Sequence, residues 1–171
     1  ESGPNKWGVV TPEKADIYTE WLAHLREASG RPVSADISLP GIAPGNWILG
    51  WLPWINVTAL NGGAFDYVNT MSYHYNRLGD IWAWKKDVWF LTRLWGIDPA
   101  RINLGIPYFS HPGSHTWASL SEKCPNIAYD ENYCAEEVFV GKKMNYEIGL
   151  YAKRHNIGGL FPWELSYDSY T

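Results

Sequence analysis

The feature that most narrows the fold is a regular alternation of two kinds of segment. Short runs rich in β-branched and aromatic residues are separated by longer stretches whose apolar residues recur at helical spacing. Val33-Ser34-Ala35-Asp36-Ile37-Ser38-Leu39 reads as a strand stopped by Pro40-Gly41. Phe65 to Tyr73 reads as a second strand, Ile102 to Ile106 as a third ended by Pro107, and Gly159 to Trp163 as the last. Thr11-Pro12-Glu13 opens a helix with Thr as N-cap and Pro at the first helical position. Ala15, Tyr18, Trp21, Leu22 and Leu25 give that helix an apolar face, and Gly30 stops it. Asp80 can cap a helix running through Trp84, Val88, Leu91 and Leu94 to Gly96, and a further helix from about Lys142 to His155 carries Met144, Ile148, Tyr151 and Ala152. The Trp-rich stretch from Trp47 to Leu60 contains Pro53 and reads as a short broken helix. Strands joined through crossover helices are normally parallel, so the class is α/β.

Composition excludes several functions. The 171 residues suit one domain or a large piece of one. A hydrophobic share of 46% and a charged share of 19% exclude a disordered tail. A net charge of -4 with isolated lysine pairs leaves no electrostatic footprint for nucleic acid or an anionic membrane surface. No apolar run approaches the roughly 18 residues of a membrane span, and no charged-then-apolar leader opens the sequence, which reads as a soluble polypeptide. The 11 Trp and 11 Tyr exceed what a core needs. Flat apolar faces with a polar edge suit stacking on sugar rings, which makes carbohydrate the first candidate ligand.

Two marks point to secretion. Cys124 and Cys134, in a polar loop, read as a disulfide closing that loop, with two reduced thiols as the alternative. Asn56-Val57-Thr58 is an N-glycosylation sequon.

The strands could form an open sheet, but no Gly-rich phosphate loop follows any of them. The alternative is part of a (β/α)₈ barrel, which needs about 250 residues in full, so four strands would be roughly its second half. Tyr73-His74-Tyr75, Tyr108-Phe109-Ser110-His111 and Trp163-Glu164 then stand at the carboxyl ends of strands, where barrel enzymes keep their active sites.

These residues carry a resemblance. Phe65-Asp66-Tyr67-Val68-Asn69-Thr70-Met71-Ser72-Tyr73 resembles the sixth strand of glycoside hydrolase family 18, the chitinase family, whose pattern is D-x-V-N-x-M-[ST]-Y-D. Ile102 to Tyr108 resembles the seventh strand, Gly158 to Asp168 the eighth, and Val33 to Pro40 would be the fifth. The resemblance covers nearly the whole chain, residues 1–171, as the C-terminal half of a TIM barrel, with a short Cys-containing loop at about 111–137. It implies hydrolysis of β-1,4-linked N-acetylglucosamine polymers with retention, the substrate's own acetamido oxygen acting as nucleophile. No cofactor or metal is expected.

The resemblance also assigns roles. The family's acid ends the motif D-x-x-D-x-D-x-E, absent here; Glu1 stands where that glutamate would, about 70 residues before Met71. Glu1 is therefore read as the catalytic acid, whose raised pKa would need the preceding aspartates. The alternative is an arbitrary chain start. Tyr73 would hold the acetamido group beneath the anomeric carbon, and Met71 would shape the subsite floor. His74 replaces the family's usual Asp, which puts the substrate range or pH optimum in question. Trp163 would floor the central sugar subsite and Tyr108 would line the cleft. Asp36 can face either the barrel interior or the helices. Trp47, Trp51, Trp54, Trp82 and Trp84 are candidates for an extended sugar platform or for core.

Other constellations carry less. His111 and His115 are four apart but flank Pro112-Gly113, which places them in a turn rather than on a metal-binding helix face. Ser114-His115 lacks a nucleophile-elbow context. The interval between the seventh and eighth strands is short, so the cleft is expected to be shallow there, as in endo-acting members. Two other readings stay open: an inactive lectin for chitin or glycans, and an endo-β-N-acetylglucosaminidase acting on N-glycan cores. A half-barrel with an unpaired strand edge should require its N-terminal half as a partner, either a companion chain or a duplicate of itself.

Overall fold

The computed structural model describes residues 12–37, 51–52, 55–74, 78 and 80–168. In chain order the elements are α1 (Pro12–Ser29), β1 (Ser34–Ile37), β2 (Trp51–Leu52), β3 (Ile55–Asn56), β4 (Tyr67–Thr70), α2 (Trp82–Trp89), β5 (Ile102–Pro107), α3 (Trp117–Lys123), β6 (Tyr133–Cys134), β7 (Glu137–Val138), α4 (Lys142–Arg154) and β8 (Gly159–Trp163).

Four of the strands form one sheet in the order β1-β4-β5-β8, and every neighbouring pair is parallel. The alternation of strand and helix in the sequence thus becomes a parallel α/β sheet. Its covered face presents Ala35, Ile37, Val68, Ile102, Leu104 and Ile106 to Trp84, Val88 and Leu91 from the α2 region and to Met144, Ile148 and Ala152 from α4, all in one core cluster. Burying side chains of this size contributes about 1.5–3 kcal/mol each. Trp84 is fully buried, and its Nε1 donates to the carbonyl of Gly105 at 2.8 Å. Trp84 is therefore core rather than part of a sugar platform, because its polar atom is satisfied by the sheet itself.

The connections are clamped by charge-assisted hydrogen bonds. Arg26 at the end of α1 donates from Nε to both oxygens of Asp66 at 2.9 and 2.8 Å, and Asp66 also accepts from the Val33 amide at 2.9 Å. The Arg26 hydrogen bond is the largest influence holding the Asp66 carboxyl below its usual value. Arg101 donates to the carbonyls of Asp66, Leu60 and Phe65, fixing the start of β4 against the start of β5. The Trp82 amide donates to Asp80 Oδ1 at 2.8 Å, as expected of a capping Asp.

Several sequence expectations differ from the structure, beginning with the strand expected over Phe65 to Tyr73, which spans only Tyr67–Thr70 and leaves Tyr73 in the 3₁₀ turn beyond it. The described part of Trp47 to Leu60 is a two-residue antiparallel pair, β2 with β3, followed by a 3₁₀ turn at Val57–Leu60, because Pro53 denies a continuous helix its hydrogen bond. The helix begun at α2 widens at Phe90–Leu94 into a π turn, where the Trp95 amide reaches the Phe90 carbonyl. On α1 only Ala15, Thr19 and Leu22 are buried, while Tyr18, Trp21 and Leu25 are exposed and Tyr18 stacks on Trp21 at 5.7 Å. The apolar face of α1 is wider than the surface that covers it among the described residues. Thr11, read as its N-cap, lies outside them.

Candidate active site

Side chains alternate across a strand, so the residues between the buried ones project from the sheet's other face. There β1, β4 and β5 build a polar ladder. Asp36, Asn69 and Asn103 stand side by side in register, with Gly159 next on β8. Asn69 Nδ2 donates to Asp36 Oδ1 at 2.7 Å and to Ser34 Oγ at 3.0 Å, and Asn103 Nδ2 donates to Asn69 Oδ1 at 2.8 Å. The sequence left the direction of Asp36 open; it faces away from the helices, toward the Asn69 amide.

Further along the same face, β5 presents Gly105 opposite Phe161 of β8. The 3₁₀ turn Ser72–His74 after β4 carries the Tyr73 ring over Gly105, where a Cβ would come within 2.7 Å of Tyr73 Cε1 and 3.0 Å of Phe161 Cζ. Phe109 meets Tyr73 edge-on at 5.5 Å, and Ser72 Oγ donates to Thr70 Oγ1 at 3.0 Å beneath the turn. Burial first, and the charge of Asp36 second, push the Tyr73 hydroxyl up to about 12, so it remains a proton donor through the neutral range. Met71 is half-buried against the core, and His74 closes the turn.

At the end of β8, Trp163 is 48% exposed, and its carbonyl accepts the Tyr108 amide at 2.9 Å. Tyr108 borders a cavity of about 110 Å³ together with Trp117, Phe139 and Asp168. Its hydroxyl is raised by burial and then by Asp168. The structure thus gathers Tyr73, Phe161 and the polar ladder on one face, with Trp163 and Tyr108 joined at the carboxyl end of the neighbouring strands. Glu1 lies outside the described residues, and Asn56 falls on β3.

The loop after β5 contains a feature that sequence reading missed. Glu137 on β7 is buried, accepts the Gly113 amide on both oxygens at 2.9 and 3.1 Å, and stands 3.7 Å from His115 Nε2. Burial alone would raise this carboxyl, but hydrogen bonds from Gly113 and Ser110 and the charges of His115 and Lys123 outweigh it and hold Glu137 below its ordinary value. The only sequence signal was the pair Glu136-Glu137 directly ahead of the apolar run Val138-Phe139-Val140. Behind it Cys124 and Cys134 form a disulfide, packed in a satellite cluster with Leu120 and Phe139. His111 pairs with Val138 through the backbone while His115 meets Lys123, so the two histidines do not converge. Among the described residues no group of three or more His, Cys, Asp or Glu is placed to hold a metal.

No protein-family model matches the chain, and no curated protein sequence does. Solved structures do. A chitinase of glycoside hydrolase family 18 from the chitin utilization locus of Flavobacterium johnsoniae superposes with a TM-score of 0.70 at 19% identity, over 96% of this chain and 53% of that one. The fold is that of the family 18 chitinases. A chitinase from Bacteroides thetaiotaomicron matches with a TM-score of 0.73 at 13% identity, over 98% of this chain and 56% of its own. A class V chitinase mutant from Cycas revoluta, in complex with (GlcNAc)3, matches with a TM-score of 0.60 at 16% identity, over 90% of this chain and 57% of its own. The chain therefore spans little more than half the length of the chitinases whose fold it shares. Among the described residues no helix is long and apolar enough to cross a membrane.

Proposed function

We propose that this chain is the C-terminal half of a chitinase-type (β/α)₈ barrel and hydrolyses β-1,4-linked N-acetylglucosamine polymers by substrate-assisted, retaining catalysis. The observation that carries this reading is the placement of Tyr73: its ring lies over Gly105 on the face opposite the helices, at the carboxyl end of β4, with its hydroxyl kept protonated. Barrel enzymes place their chemistry at that end of the strands. In this reading Tyr73 donates to the substrate's acetamido group and holds its oxygen beneath the anomeric carbon. Met71 shapes the floor, exposed Trp163 stacks under the sugar, Tyr108 lines the cleft, and His74 stands in the sequence where the family usually has Asp. Glu1 protonates the leaving oxygen.

The remainder of the barrel comes from a companion half. Three features support this. β1 and β8 are the two outer strands of the sheet. Leu160 on β8, paired with fully buried Leu104, is 43% exposed. Tyr18, Trp21 and Leu25 form an exposed stripe on α1. A parallel sheet is normally covered on both faces, and outer strands invite pairing. The disulfide and the sequon at Asn56 support a secreted glycoprotein.

The test is hydrolysis of a fluorogenic chitooligosaccharide by the full-length natural protein and by its Tyr73→Phe and Trp163→Ala variants. Tyr73→Phe should lower kcat by about 100-fold while binding persists, in line with the loss of one preorganised donor. Trp163→Ala should chiefly raise KM. Sugar binding without turnover in the parent protein would replace the enzyme with a lectin. Release of glycans from N-glycoproteins, with chitooligosaccharides untouched, would make it an endo-β-N-acetylglucosaminidase.

A further inference from the structure

A second concavity lies on the helical layer, on the opposite side of the sheet from Tyr73. It is a groove of about 1140 Å³ between the α2 segment and α4. That is slightly larger than the usual small-molecule site, with room for several sugar units. One wall carries Lys85, Trp89 and Arg93, and the other carries Glu147, Tyr151 and Arg154. Trp89 is 56% exposed, a large apolar ring left in solvent on a helix that buries Ala83 and Trp84 in the core. Lys85 Nζ sits 6.0 Å from the centroid of the Tyr151 ring, which is contact across the groove from one helix to the other.

The charge of this groove runs against that of the chain. The protein carries a net -4, yet Lys85, Arg93 and Arg154 gather here against Glu147 alone. Among the described residues none of those cations has a carboxylate within ion-pair distance. Cations with no carboxylate partner attract an anion, and two of them are guanidinium groups, whose planar fork matches a carboxylate in bidentate fashion. The exposed Trp89 ring beside them offers a flat face on which a sugar ring can stack, while Tyr151 lies under Lys85 and packs against His155.

We propose that this groove is a second saccharide site, separate from the strand-end face, that takes an oligosaccharide bearing carboxylate groups. The uronate carboxylates meet Arg93, Arg154 and Lys85, and a sugar ring lies against Trp89. A neutral N-acetylglucosamine chain would leave the cations unsatisfied and does not fill it. The site is defined by residues outside the strand-end face and stands whether or not that face is catalytic.

Isothermal titration calorimetry of the full-length natural protein at low salt tests it, with tetragalacturonate as probe and chitotetraose and a tetraglutamate peptide as comparisons. Tetragalacturonate should bind with one-to-one stoichiometry, and the Lys85→Gln/Arg154→Gln double variant should weaken it at least 10-fold. Trp89→Ala should weaken it about as much, whereas Arg154→Lys should weaken it less than the double variant. Thermal melting confirms that each variant is folded. Absence of tetragalacturonate binding, or binding unchanged in the double variant, overturns the site. Equal affinity for tetraglutamate, together with an ineffective Trp89→Ala, also overturns it by reducing the groove to a bare cationic patch.

Discussion

The Tyr73 ring occupies the space that a side chain at Gly105 would need. A Cβ on Gly105 would stand 2.7 Å from Tyr73 Cε1 and 2.5 Å from the Thr70 carbonyl oxygen, closer than non-bonded atoms approach. Gly105→Ala must therefore move the ring, the strand or both. Overpacking of this kind costs about 1–3 kcal/mol. The expected outcome is a lower melting temperature and a loss of chitooligosaccharide turnover that exceeds the loss of stability. A variant that melts lower but turns over normally would separate the ring's position from function.

Asp36 is the second influence on Tyr73, after burial. Asp36→Asn keeps an oxygen to accept from Asn69 and removes the charge. The tyrosinate transition assigned to Tyr73, at about 12 in the parent, should shift down while staying above its ordinary 10.0, because burial persists. The native value is raised, so the protonated ring stabilises the fold below pH 10 and that contribution is lost as pH rises through about 12. Thermal unfolding at pH 8 and pH 11 should show a smaller alkaline loss in Asp36→Asn than in the parent.

Glu137 makes the opposite prediction. Its native value lies below 4.5, so its stabilisation is present above pH 4.5 and is lost as pH falls through the depressed native value. Glu137→Gln removes the charge that faces His115 and weakens the pair of bonds from the Gly113 amide. The cost should be about 1–3 kcal/mol at neutral pH, and the acid sensitivity contributed by this residue should disappear. Melting curves between pH 3 and pH 7 read both effects.

The disulfide between Cys124 and Cys134 closes a loop with a sequence separation of 10. The chain-entropy relation assigns a loop of that length about 3 kcal/mol. Replacing both cysteines by serine should lower the melting temperature by about 6–12 °C for a chain of this size. The cavity beside Tyr108 should open as well, since Leu120 and Phe139 line it and also pack in the disulfide's cluster. Protease sensitivity of residues 111–137 under reducing conditions reads the local part of that change.

Several elements were legible because their signals are local. Pro107 after a β-branched run, Asp80 ahead of an apolar periodicity and the sequence Tyr67-Val68-Asn69-Thr70 each state a strand or helix within a few residues. The alternation of strand and helix then implied parallel pairing, and the order β1-β4-β5-β8 agrees with it. Trp47 to Leu60 was misread because one segment holds both helix-compatible apolar residues and the proline that interrupts them. α1 was misread because an apolar stripe shows what wants burial, not what is available to cover it.

The sequence by itself determined the α/β class, the positions of the parallel strands and the presence of Tyr73 and Trp163 at strand ends, since periodicity and turn chemistry are encoded by near neighbours. Only the tertiary structure decided that Asp36 faces the open side, that Asn69 links it to Asn103, that Gly105 makes room for Tyr73, and that Lys85 on one helix meets Tyr151 on another. Those partners are separated by more than 30 residues in every case, and no local preference specifies which distant side chain will share a layer. Strand register and helix packing bring them together.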